Sequence, residues 1–275
     1  MNEIDDSRET QSHGAVPALD GRVALVIGAS RGIGAAVARS LGAAGAHVVA
    51  ASRDIDALRI LTDQIGAAGG DATPVSVDVT DDASVARLIS GVLDQLGRLD
   101  AAVNNAAMSD HHMNALADFS LDAFDDELAT SLRGVFVSMR HEIPAMMAGG
   151  GGSIVNMAST AGLDAVAGLT GYVAAKFGVV GLTRTAALDY AAAGIRVNAL
   201  APGPILTDGL ESAGEQAIAA AGRGVPMHRV GSVDEVAAAA VWLCSDASSF
   251  VTGTIIPIDG GKLAGAAPFQ RPPTT

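Results

Sequence analysis

The chain is predicted to fold as an α/β protein on a doubly wound, mostly parallel seven-stranded sheet with helices on both faces. Three observations predict it. Short, β-branched apolar runs alternate with Ala-rich helical stretches throughout. The interior runs are continuously apolar, as strands covered on both faces must be. The 275 residues, 49% hydrophobic but only 3% aromatic, allow one large core built from Ala, Val, Leu and Ile.

Strands are expected at residues 22–28, 46–52, 73–79, 99–105, 152–159, 195–200 and 254–258. Helices are expected between them at 32–44, 55–67, 83–96, 121–147, 172–193 and 233–245. With no repeat and no internal linker, residues 21–262 read as one dinucleotide-binding and catalytic domain. Residues 1–20, polar and acidic, read as a disordered leader, and 263–275 as a loose or oligomer-contacting tail.

Composition narrows the function. A net charge of −13 argues against nucleic acid and anionic membrane as partners. No apolar run is long enough to span a bilayer, and the N-terminus has no secretory apolar segment. The single cysteine, Cys244, lies in an apolar helical run and reads as a buried structural thiol in a reducing, cytoplasmic compartment. No Cys/His cluster suggests a metal.

The first strand runs into Gly28-Ala29-Ser30-Arg31-Gly32-Ile33-Gly34 and then a helix. Glycines there let the backbone turn tightly and approach a pyrophosphate, whose charge the helix N-terminus stabilises, so the fold is of the Rossmann type. The same residues match Gly-x-Ser-x-Gly, the nucleophile elbow of α/β-hydrolases. That reading needs a later acid and then a histidine at strand ends, and only His228 comes late enough.

Tyr172 and Lys176 are four apart and share one helical face. An ammonium about 4 Å from a phenol at an effective dielectric near 20 is worth roughly 4 kcal/mol, about 3 pKa units. That would bring the tyrosine towards neutrality as a general acid or base; the plain alternative is a surface tyrosine stacked on a lysine stem. Ser159, at the end of the fifth strand and thirteen residues before Tyr172, can hold a substrate carbonyl oxygen. It could equally be a strand-end cap.

With these elements in place, residues 23–261 resemble the short-chain dehydrogenase/reductase family in its single-domain form. The residues that carry the resemblance are the 28–34 turn, Asp78-Val79, Asn104-Asn105-Ala106-Ala107, Ser159, Tyr172/Lys176, Asn198 and Pro202-Gly203-Pro204-Ile205-Leu206-Thr207. The resemblance implies interconversion of a carbonyl and an alcohol by hydride transfer. Tyr172 would be the acid/base and Ser159 would orient the substrate oxygen. Lys176 would bind the nicotinamide ribose and lower the tyrosine pKa. It further implies cofactor contacts from Gly28, Ser30, Arg31, Gly32, Ile33, Gly34, Asp78, Val79, Asn104, Ala106, Tyr172, Lys176, Pro202, Ile205 and Thr207. A homo-oligomer, tetramer or dimer, is implied as well, often through the segments 233–245 and 251–261. Ile27 stands where the family has threonine, and Ala107 where it has glycine. Ser131 stands where the family has a catalytic asparagine, whose main-chain carbonyl positions a relay water. A cofactor-binding regulator or scaffold with impaired catalysis is therefore the alternative.

An acid at the end of the second strand would select NAD(H), whereas arginine accommodates a 2′-phosphate. Here that strand ends Ser52-Arg53, and Arg31 can reach the same place. NADP(H) is accordingly preferred over NAD(H), with Asp54 the residue against it and a merely solvated Arg53 the plain alternative. Pocket walls are expected from residues 108–113, 160–170 and 208–225, the last as a short mobile lid. His111, His112 and Asp164 are candidate polar wall residues, with surface exposure the plainer reading.

Overall fold

The computed structural model describes residues 18–108 and 113–265. The first six strands are β1 (Val23–Ile27), β2 (His47–Ser52), β3 (Asp71–Ser76), β4 (Ala101–Asn104), β5 (Gly152–Met157) and β6 (Ile195–Pro202). After two short strands, β7 (Ile205–Leu206) and β8 (Gly231–Ser232), β9 (Ile255–Ile258) completes a seven-stranded sheet ordered β3-β2-β1-β4-β5-β6-β9. Every pairing in it is parallel, where the sequence predicted mostly parallel. The order reverses between β1 and β4, and the crevice beyond their carboxyl ends is where such sheets bind ligands.

The continuously apolar strands are explained by two cores. Leu25 and Ile27 of β1 face α3 (Asp82–Leu96) and α6 (Thr170–Tyr190) with Leu88, Ile89 and Val179. Ala24 and Val26 face α1 (Gly32–Ala43), α2 (Ile55–Ala67) and α9 (Val233–Cys244) with Val37, Leu58 and Leu243. Alternate residues thus enter opposite cores, each full burial of a Leu or Ile contributing roughly 1.5–3 kcal/mol. Of the strand prolines, Pro74 in β3 and Pro257 in β9 fall on the edge strands and Pro202 on the last residue of β6, places where a missing ladder donor costs least. Cys244 is buried, and burial pushes its thiol up to about 12. Among the described residues no helix is long and apolar enough to cross a membrane.

Three expectations change. The single helix at 121–147 is divided into α4 (Leu121–Leu128), a π-helical turn (Ala129–Arg133) and α5 (Gly134–Ala148). The strand at 73–79 is displaced to Asp71–Ser76, which leaves Asp78 and Val79 in the following loop. Most of the leader lies outside the described residues, but Leu19 is buried and its amide donates to the Ala44 carbonyl at 2.9 Å. Beyond β6 the chain adds α7 (Asp208–Ser212) and α8 (Glu215–Arg223), which bury only Gly222 between them.

Candidate active site

The 28–34 turn is locked by its neighbours. A Cβ on Gly28 (φ +83°) would lie 2.6 Å from the Ala106 amide nitrogen, and one on Gly34 would lie 2.1 Å from the Gly28 carbonyl oxygen. Only glycine lets the turn lie this close to the loop after β4. Asn105 Nδ2 donates to that same carbonyl at 2.9 Å and braces the turn. No side chain among the described residues caps α1, so its first amides, beginning beside Arg31, are open to an anion. Ser30, Arg31 and Gly32 line a cavity of about 290 Å³ between α1 and α2, which Asp208 also lines. Thr207 reaches the same place, its Cγ2 being 3.6 Å from where a Gly32 Cβ would sit. Ile33 is half-buried beside it.

At the end of β2, Ser52 is nearly buried and its hydroxyl accepts the Asp54 amide at 3.2 Å. The Asp54 carboxylate caps α2 by accepting from the Ala57 amide at 3.0 Å. The acid that weighed against a phosphate in the sequence is therefore committed to its helix, while Arg53 is exposed. Asp78 accepts from the Thr80 amide and hydroxyl at 2.9 and 2.7 Å, which hold its carboxyl below the usual range with a lesser contribution from Arg53. Val79 is buried against Gly134.

The Asn104 side chain turns into the core, Nδ2 donating to Glu142 Oε2 at 3.0 Å and Asn156 Oδ1 at 3.1 Å, which leaves only its backbone for the expected cofactor floor. Asn156 in turn donates to Thr183 Oγ1 at 3.0 Å. Burial pushes Glu142 up to about 7, partly offset by Asn104. Asn198 is also structural: its amide joins β6 to the chain before β9 through the Val251 carbonyl and the Thr254 amide. Pro202 ends β6, and Ile205 is buried in β7.

Ser159, Tyr172 and Lys176 are brought together. Ser159 does cap the turn after β5, accepting from the Ala161 amide at 3.1 Å, and its hydroxyl is near enough to the Tyr172 phenol to favour the ionised form. Lys176 is buried beneath, its Nζ donating to the Met157 carbonyl at 2.8 Å and lying 5.6 Å from the Tyr172 ring centroid. The expected lowering of the tyrosine pKa is not met by this arrangement. Burial raises the phenol above its ordinary value, the Ser159 hydrogen bond offsets part of this, and Glu127 raises it again. Burial also brings Lys176 down to about 8, with Glu127 opposing. The physical reason is that the ammonium is turned to a backbone carbonyl and desolvated with the phenol rather than set against it in a polar medium.

Ser131 lies fully buried at the centre of the π turn. Its hydroxyl donates to Glu127 Oε1 at 2.5 Å and accepts from the Met108 amide at 3.1 Å. The helix break therefore persists without an amide side chain at this position. Asp164 is exposed, and His111 and His112 lie outside the described residues. Glu127 and Glu142 gave no signal in the sequence, being acids on helix faces that had to turn inward.

A family model described as enoyl-(acyl carrier protein) reductase matches residues 28–262. A solved short-chain type dehydrogenase/reductase from Mycobacterium marinum is 35% identical, with a TM-score of 0.85 over 91% of this chain and 98% of that one. The chain belongs to the short-chain dehydrogenase/reductase family. It is thereby an oxidoreductase of the class that interconverts carbonyls and alcohols, and the hydrolase reading of Ser30 falls. Among relatives, an A-factor type gamma-butyrolactone 1'-reductase of Streptomyces virginiae is 41% identical, covering 88% of this chain and 96% of its own. A D-threitol dehydrogenase of Mycolicibacterium smegmatis is 37% identical, covering 88% and 93%. A structure from Beutenbergia cavernae, assigned as an NAD(P)-dependent gluconate 5-dehydrogenase and carrying NADP at low occupancy, is 35% identical with a TM-score of 0.85, covering 91% and 100%.

Proposed function

We propose that this protein is an NADP(H)-preferring reductase or dehydrogenase in which Tyr172 is the acid/base, Ser159 orients the substrate oxygen and Lys176 supports the tyrosine. The observation that carries the reading is the meeting of Ser159, Tyr172 and a buried Lys176 at the carboxyl end of β5. The 28–34 turn fits a dinucleotide: Gly28 and Gly34 leave no room for side chains, and the amides opening α1 carry no side-chain cap among the described residues. Gly28, Ser30, Arg31, Gly32, Ile33 and Gly34 would hold the pyrophosphate region, and Ser52, Arg53 and Arg31 the adenosine end. Asp78, Val79, the backbone of Asn104 and Ala106, Lys176, Pro202, Ile205 and Thr207 would complete the cradle. When bound, the nicotinamide supplies or accepts the hydride.

The chain's own residues handle the proton. A phenol whose pKa burial raises stays protonated at neutral pH, so Tyr172 can donate to a carbonyl oxygen held by Ser159. The hydrogen bond from Ser159 then favours the phenolate that forms. The persistence of the π turn around Ser131 supports a working enzyme over a regulator or scaffold. The preference for NADP(H) is supported by a neutral Ser52, an Asp54 committed to capping and two nearby guanidiniums. Few side chains of α7 and α8 are buried, which supports a cover that closes over substrate. Exposed Trp242 and Phe250 near β9, with Phe136 and Phe177 across α5 and α6, support a homo-oligomer.

Thermal-shift titration with NADP+ and NAD+, then a carbonyl and alcohol screen with the better cofactor, tests the reading. Tyr172→Phe should abolish turnover and leave NADPH binding nearly intact. Turnover undiminished by that change refutes the assignment.

A further inference from the structure

Glu127 is an acid for which the reading above gives no role. It lies in the last turn of α4 at 5% exposure, while Asp122, Asp125 and Asp126 of the same helix are exposed. A carboxylate is costly to bury unless hydrogen bonds and opposite charge compensate. Ser131 Oγ supplies the hydrogen bond, donating to Oε1 at 2.5 Å while itself fixed by the Met108 amide. The Glu127 stem packs on the start of α6, where a Cβ at Gly171 would meet Glu127 Cβ at 3.2 Å and Cγ at 3.3 Å. Gly171 directly precedes Tyr172. The titratable groups of α6 that face Glu127 are Tyr172 and Lys176, and its charge acts on both. On the π turn, Arg133 is exposed and donates instead to the Thr80 carbonyl.

We propose that Glu127 is a positioning residue, a carboxylate fixed by Ser131 that serves as the counter-charge of Lys176 and sets the pH range in which the Tyr172–Lys176 pair works. The inference rests on the assignment of that pair made above. A buried ammonium bonded to a neutral carbonyl such as that of Met157 sheds its proton readily; a nearby negative charge retains it. The same charge keeps the phenol protonated. One carboxylate therefore raises the proton affinity of both groups and keeps the pair in its proton-loaded form at neutral pH.

The chain contains two tyrosines, Tyr172 and Tyr190, so phenol ionisation can be followed directly by ultraviolet difference absorbance. Subtracting the Tyr172→Phe titration isolates Tyr172. Glu127→Gln keeps an acceptor for Ser131 but removes the charge. It should move the Tyr172 titration to lower pH by on the order of one unit, with the pH limbs of kcat/KM moving the same way in both reaction directions. Glu127→Asp, which retains the charge, should restore the position of the titration even where it slows turnover. Should the Gln variant not fold, Ser131→Ala serves: a carboxylate that loses its donor is more readily protonated, and the limb moves the same way by less. A titration and limbs that stay in place, whether turnover falls at all pH values or is unchanged, overturn the inference. Turnover persisting in Tyr172→Phe would instead overturn the assignment beneath it.

Discussion

Glu142→Gln is expected to raise the stability of the protein above neutral pH by about 3 kcal/mol, with little effect in mild acid. Glu142 is fully buried on α5, and Asn104 Nδ2 supplies the hydrogen bond to its Oε2 at 3.0 Å. Neither Glu142 Oε1 nor Asn104 Oδ1 has a hydrogen-bond partner among the described residues. Burial moves the carboxyl from 4.5 to about 7, with Asn104 opposing only in part. Because the folded state binds this proton more tightly than the unfolded chain, its contribution is fully present below the unfolded value. It is lost as pH rises from 4.5 through about 7. A rise of roughly 2.5 units at about 1.36 kcal/mol each gives the 3 kcal/mol. Glutamine has the same shape and an acceptor for Asn104 but no charge to desolvate. Urea unfolding followed by circular dichroism, at one protein concentration and several pH values, measures the difference. Wild-type stability that does not fall across this window, or a Gln variant no more stable in mild alkali, would refute the reasoning.

Two further predictions concern the proposed cofactor site. Gly34→Ala places a methyl 2.1 Å from the Gly28 carbonyl oxygen and 2.7 Å from Asn105 Nδ2, both fixed groups, so the turn must open. NADPH binding by thermal shift should be lost while the fold, read by circular dichroism, persists. Removing Arg31 and Arg53 together should weaken NADPH binding at least tenfold and leave NADH nearly unchanged, since each charge-assisted contact contributes about 1.5–3 kcal/mol; equal losses for the two cofactors would rule out a 2′-phosphate role.

Much of the site was legible because its chemistry depends on residue type at fixed local spacing. Gly28, Gly32 and Gly34 mark a turn wherever they follow an apolar strand, and Tyr172 and Lys176 share a helix face by geometry alone. Ser159 was legible because the end of an interior strand in a doubly wound sheet faces the ligand crevice. The break in the helix at 121–147 was not legible. A π turn inserts one residue without leaving a periodic trace, and what stabilises it is Ser131 reaching Glu127 and the Met108 amide from another segment. The short pairing of β7 with β8 spans two residues each, too few for any period.

The sequence by itself determined the layered α/β architecture, the family resemblance and the residues proposed for the crevice. Those follow from hydrophobic period and from turns that only glycine can make. The tertiary structure decided what each polar side chain faces. Asn104 is turned inward to Glu142, Asp54 is occupied by its helix, and Lys176 is bonded to Met157. It also decided the proton affinities, since the pKa of Tyr172 or Lys176 depends on desolvation and on a charge, Glu127, brought from a different helix. Spacing along a chain places two side chains on one face, but only the packed fold sets the medium between them.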